Sequence, residues 1–259
     1  MKLTNQKGFS LTELLVVVAI TGIVSAAIMS FFITQQRSHS SQEQVTLVQQ
    51  NARSGLGVMS RELRMAGYRP NKTGGTMGFL SGPDGGGIEQ LGLQKVTFTF
   101  DLDEDGVVDS GEQVIYSFDS ANSELDRNGS VLADGIAAVA FTFAYDSDNN
   151  GELEPGTSTY AIAGADGLGP LNGTVDWYIV NADGTTTVTN PAIKANAADI
   201  RAVKISILAR AETNSQDFTN TTTYVVGTQT ISPTTANLHR RHLLLETVVR
   251  CRNMGLRPI

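Results

Sequence analysis

The sequence predicts an α+β fold in which one long N-terminal helix packs on an antiparallel β-sheet head. Two observations carry that expectation. Residues 10–66 keep a helical character without a break, first apolar all round and then apolar on one face. The rest of the chain, from about residue 90, falls into short β-type segments with no second long helical pattern between them. Runs of strands that do not alternate with helices pair as an antiparallel sheet and bury one face against what precedes them.

The helix is expected from about Ser10 to Ala66. Its first half is FSLTELLVVVAITGIVSAAIMSFFI, apolar apart from small polar residues and Glu13. Leu14 to Ile33 alone is 20 residues. At about 1.5 Å of rise per residue this is roughly 30 Å, the thickness of a hydrocarbon core. A secretory signal also opens with positive charge and an apolar run, but its cleavage site follows that run. Here the run continues into more helix. Val45, Val48, Ala52, Leu56, Met59, Leu63 and Ala66 recur at spacings of three and four, and Gly67 and Pro70 supply stop signals.

The eight residues ahead of this helix, MKLTNQKG, carry Lys2 and Lys7. Together with FSLTELLVVVAITGIV they resemble the N-terminal signal of type IV prepilins and type II secretion pseudopilins. That resemblance implies a type IV pilin-like fold and a set of roles for these positions. A membrane prepilin peptidase would cut between Gly8 and Phe9 and methylate the new N-terminus at Phe9. Residues 1–8 would be the leader, 9–33 the membrane and filament-core half of the helix, 34–67 its amphipathic half and 68–259 the head. Glu13 would pair with the free amine of Phe9 on a neighbouring subunit. Read without the family, a carboxylate in a membrane helix costs roughly 2.5 to 3.5 kcal/mol at the bilayer centre and seeks a partner, or near the helix end reaches the headgroups. The resemblance also implies the partners: major and minor pilins, an inner-membrane assembly platform, and membrane lipid before assembly. The chain would span the inner membrane once with its head in the periplasm, and later stand on the pilus at the cell surface.

Composition bounds the rest. With 19 Lys+Arg against 26 Asp+Glu the formal charge is -7, which leaves no basic surface for nucleic acid, and none is expected as a partner. The single cysteine, Cys251, cannot close an intramolecular disulfide, so an extracytoplasmic head needs another staple. Residues 71–87 are glycine-rich and read as a loop. Strands are expected over 93–100, 113–118, 135–145, 174–180, 201–210, 222–229 and 243–252. Trp177 and Tyr178 in one of them read as packing residues.

Between the first two strands lies DLDEDGVVDSGE, which satisfies D-x-D-x-D-G-x5-E throughout. Asp101, Asp103 and Asp105 stand at positions one, three and five, Gly106 at six, Asp109 at nine and Glu112 at twelve. This spacing folds alternate carboxylates, the Val107 carbonyl and a bidentate Glu112 towards one point, as Ca2+ with its six to eight oxygen ligands requires. Six carboxylates in twelve residues, counting Glu104, would otherwise repel one another. Because strands flank it, the expected site is a calcium loop at the tip of a hairpin. A weaker copy, DSDNNGELEPGT, offers Asp146, Asp148, Asn150, Glu152 and Glu154, with Thr157 where the bidentate glutamate should stand.

The chain ends NLHRRHLLLETVVRCRNMGLRPI, and an arginine-asparagine pair after the last strand, Arg252 and Asn253, is similar to the larger minor pilins of the PilW type. That points to a structural subunit with an initiating or tip role. The type II secretion pseudopilin, and a membrane-anchored calcium-binding adhesin that never polymerises, stay open as alternatives. An enzyme is not expected. No Walker loop, nucleophile elbow or dinucleotide fingerprint is present. His239 and His242 have no third ligand near them in sequence, and His39 falls on the helix.

Overall fold

The computed structural model describes residues 10–71, 77–80, 91–146, 197–215, 218–227 and 229–255. It is an α+β fold, one long apolar N-terminal helix followed by antiparallel sheets. The chain divides into two compact units, 1–45 and 46–259.

In the first unit, helix α1 (Leu11–Leu63) begins at Ser10 and runs through the apolar stretch. Leu11, Leu14, Val18, Ile23 and Phe31 are 59–77% exposed, so nothing among the described residues covers this surface. Each such side chain stabilises by about 1.5–3 kcal/mol when it leaves water, and lipid or other helices must supply that burial. It is the one helix among the described residues that is long and apolar enough to cross a membrane.

In the second unit the same helix turns amphipathic. Val48, Ala52, Gly55, Met59 and Leu63 form its buried stripe, on the expected spacing. Gly55 is small for a reason: a Cβ there would stand 3.3 Å from Leu125 Cδ2 and 3.4 Å from Ala133 Cβ. The helix stops at Leu63, three residues short of the expected end. Tight turns then bond Met65 N–H to Glu62 O at 2.8 Å and Ala66 N–H to Leu63 O at 3.2 Å. Gly67, at φ +74°, reverses the chain and donates its N–H to Thr99 O at 3.0 Å.

Strands β1 (Lys95–Thr99), β2 (Gln113–Asp119), β3 (Glu124–Arg127) and β4 (Ser130–Ala133) form an antiparallel sheet in that order. The β3–β4 hairpin was not among the expected strands. Its turn is Asn128-Gly129, with φ of 51° and 76°, the left-handed pair that a two-residue hairpin loop requires. A second antiparallel sheet has the order β5 (Ile136–Tyr145), β6 (Ile200–Arg210), β9 (His242–Arg250). One face of β5 and β6, with Phe141, Phe143, Val203, Ile205 and Ile207, joins the helix stripe and β1–β2 in the main core. The other face, with Ala138, Ala140 and Leu208, is met by Val226 from the small hairpin of β7 (Tyr224–Val226) and β8 (Gln229–Ile231). Burial on both faces explains why β5, IAAVAFTFAY, reads as a nearly continuous apolar run.

The strand expected over 222–229 is therefore two short strands, broken at Gly227 with φ +62°. Within the glycine-rich stretch 71–87, read as a loop, residues 77–80 meet the first sheet, where Phe79 is buried and bridges Phe98. The strand expected at 174–180, with Trp177 and Tyr178, lies outside the described residues.

Candidate functional site

Two places carry the residues singled out in the sequence. At the start of α1, Ser10 and Glu13 cap the helix reciprocally. Glu13 N–H donates to Ser10 Oγ at 3.2 Å, and Ser10 N–H donates to Glu13 Oε2 at 3.3 Å. This is a capping box, S-x-x-E ahead of an apolar run, and it satisfies two helix-end donors that would otherwise lack partners. The pattern was visible in Ser10-Leu11-Thr12-Glu13, but the sequence reading treated Glu13 only as a charge. Glu13 is also the one charged side chain in residues 10–33. Gly8 and Phe9 lie outside the described residues.

The acidic loop joins β1 to β2. Asp101 is fully buried although it is a carboxylate, and its N–H donates to Tyr68 O at 2.8 Å. Its Oδ2 accepts from Gly106 N–H at 3.1 Å, whereas its Oδ1 is buried with no hydrogen-bond partner among the described residues. Asp103 Oδ1 accepts from Asp105 N–H at 3.2 Å and Asp105 Oδ1 from Val107 N–H at 2.7 Å, so each exposed aspartate folds the next step of the loop. These turns bring one carboxylate oxygen from each of Asp101, Asp103 and Asp105 within 4.8 Å of the others. Glu104 and Gly106 take left-handed φ of 69° and 80°, which turns the chain around that cluster. Tyr68 and Asn71 also hold the loop, Asn71 by donating Nδ2–H to Glu104 O at 2.8 Å. No sequence signal announced either.

Glu112, at position twelve, is buried as well. Its Oε1 accepts from Leu102 N–H at 2.6 Å and Asp103 N–H at 3.3 Å, and its Oε2 from Asp109 N–H at 3.0 Å. The Asp109 and Leu102 amides hold its pKa below the ordinary carboxylate value. Asp103 is pushed the other way. The Asp105 amide lowers its pKa, but partial desolvation and the charges of Asp105, Glu112 and Asp109 outweigh that and leave it raised. Asp109 contributes its carbonyl, which accepts from Glu112 N–H at 3.0 Å. The Val107 side chain stays 58% exposed.

Of the weaker loop, only Asp146 lies within the described residues. It is buried, and its Oδ2 sits 3.7 Å from Arg201 Nε. The carboxylate at position one of that loop thus already faces a cation, in contrast to Asp101. Asp148, Asn150, Glu152 and Glu154 lie outside the described residues. The tail histidines do not converge: His239 Nδ1 is 2.7 Å from Phe218 O, and His242 Nδ1 is 2.9 Å from Asn220 Nδ2.

Comparison with protein families gives two matches. Residues 104–253 match the model described as Type IV Pilus-assembly protein W, PilW. Residues 3–29 match the prokaryotic N-terminal methylation motif. No curated protein matches the chain. Among solved structures, a type IV-like pilin TTHA1219 from Thermus thermophilus is similar at 14% identity and a TM-score of 0.35, covering 83% of this chain and 97% of that one.

Proposed function

The chain belongs to the PilW family of type IV pilus-assembly proteins and carries a prepilin methylation motif, and from that premise we propose that it is a minor pilin that enters the filament at its initiating or tip end. The family is structural, and the proposed mechanism is assembly without catalysis. Prepilin peptidase cuts between Gly8 and Phe9 and methylates Phe9. The chain then waits in the inner membrane, spanning it once with the head on the periplasmic side, until the assembly platform moves it into contact with other pilins. Calcium at the Asp101–Glu112 loop steadies the head.

The observation that carries this reading is the uncovered apolar surface of residues 11–33 with a single carboxylate, Glu13, near its start. Such a surface suits lipid first and a bundle of like helices afterwards, while the carboxylate supplies the one strong directional contact available in that setting. Within the free subunit Glu13 already has a partner in Ser10. Docking on the Phe9 amine of a neighbour adds charge neutralisation to that cap. The PilW match favours a pilus over a secretion pseudopilin, and a non-polymerising adhesin would give Glu13 no role beyond capping.

Two substitutions separate capping from charge. Glutamine at the third helical position also completes a capping box, so Glu13→Gln keeps the helix start and removes only the charge. Glu13→Ala removes both. Fractionating cells into membranes and sheared filaments should find both variants in the membrane and neither in filaments. Glu13→Gln chains that reach filaments at parent levels would show that charge pairing does not drive docking.

A further inference from the structure

The Asp101–Glu112 loop is tied to the segment that leaves helix α1, and the ties surround the buried Asp101. Asp101 N–H donates to Tyr68 O at 2.8 Å, Gly67 N–H donates to Thr99 O at 3.0 Å, and Asn71 Nδ2–H donates to Glu104 O at 2.8 Å. Phe100 N–H, next along, donates to Glu112 O at 3.0 Å and closes the loop at its base. The helix exit and the loop are therefore one hydrogen-bonded unit with Asp101 in its middle.

Asp101 is also where charge is least compensated. Its side chain is fully buried, its Oδ1 accepts no hydrogen bond among the described residues, and one of its carboxylate oxygens lies within 4.8 Å of oxygens of Asp103 and Asp105. A buried ionised oxygen without a partner is among the costliest arrangements in a folded chain. A hard divalent cation held by the three carboxylates gives the buried Asp101 side chain a further partner and relieves their mutual repulsion at once. Sodium or potassium would neutralise less charge. Magnesium holds its waters and demands an octahedron, which suits a cluster of loop carboxylates poorly.

Resting on the calcium reading of the loop, we propose that the ion acts as a clasp. By fixing Asp101 it locks the hydrogen bonds from Gly67, Asp101 and Asn71, and so holds the helix exit, residues 64–71, against β1. Extracellular calcium modules commonly bind at about 10⁻⁴–10⁻³ M, a concentration the cytoplasm lacks. The junction therefore tightens only after the head has crossed the membrane.

The test uses the full chain in detergent micelles, freed of metal by chelator, with calcium chloride as the probe. Titration calorimetry reads binding, and hydrogen exchange reads peptides over 64–71 and 99–112. A second protein, Asp103→Asn with Asp105→Asn, keeps the side-chain oxygens that accept from Asp105 and Val107 amides, so it folds but loses two charges. The parent should bind calcium and slow exchange in both peptides by at least about tenfold, and the variant should bind at least about tenfold more weakly. Calcium that binds and protects only 99–112 overturns the clasp and leaves the calcium reading standing. No binding at millimolar calcium, or equal binding by the variant, overturns both.

Discussion

His242 sits in the head with its ring 5.7 Å from that of Tyr224 and its Nδ1 close to Asn220 and the Arg240 carbonyl. Burial pushes its pKa below the ordinary value, and the charges of Arg210 and Arg240 push the same way against the Arg240 carbonyl. The unfolded chain therefore takes up the proton first as pH falls. The stability due to the neutral ring is complete above about pH 6.5 and is lost through the window beneath it, until the folded ring protonates too. Urea midpoints in chelator at pH 7.5 and 5.5 should fall further for the parent than for His242→Gln. An equal fall in both would remove His242 from the account. Cys251 behaves oppositely, because burial pushes its thiol up to about 12, so it stays protonated and unreactive at neutral pH.

Helix α1 is anchored to the first sheet by a side-chain contact as well as by its apolar stripe. Tyr116 O–H donates to Glu62 Oε2, and Arg127 Nε–H donates to the same oxygen at 2.9 Å. Tyr116 is fully buried, so its pKa is driven far above normal, first by desolvation and then by Glu62. Tyr116→Phe should lose about 1.5–3 kcal/mol, the worth of a hydrogen bond to a charged group, measured by denaturant unfolding of the full chain in micelles. Leu63→Ala, fully buried on the stripe, should lose about 2–5 kcal/mol in the same assay. The stripe itself was legible because period 3.6 survives in Val48, Ala52, Met59 and Leu63. The Glu62 contact was not, since a glutamate on a helix reads as a solvated face until the partner strand is placed. The β3–β4 hairpin was missed for a related reason: Glu124–Arg127 is mostly charged, and its Asn128-Gly129 turn signal went unread beside so short a strand. In the acidic loop the register of Asp101, Asp103, Asp105 and Glu112 was fully legible. The burial of Asp101 was not, because a carboxylate in an acidic loop reads as solvated until the distant helix exit, whose Tyr68 carbonyl accepts from the Asp101 N–H, is placed beside it.

For the whole molecule, the two units answer to different surroundings. Residues 11–33 keep an apolar surface that nothing among the described residues covers, while the head closes its own core around β5, β6 and the amphipathic half of α1. A chain that remained a monomer in water would leave that first surface unsatisfied. The N-terminal methylation motif, residues 3–29, overlaps the same segment, and the head matches the PilW family. The N-terminal peptide of the chain recovered from sheared filaments, read by mass spectrometry, tests this most directly. The expected peptide begins at Phe9 and carries one methyl group on its amine. A chain found only in membranes, with Met1 to Gly8 still attached, would contradict the account.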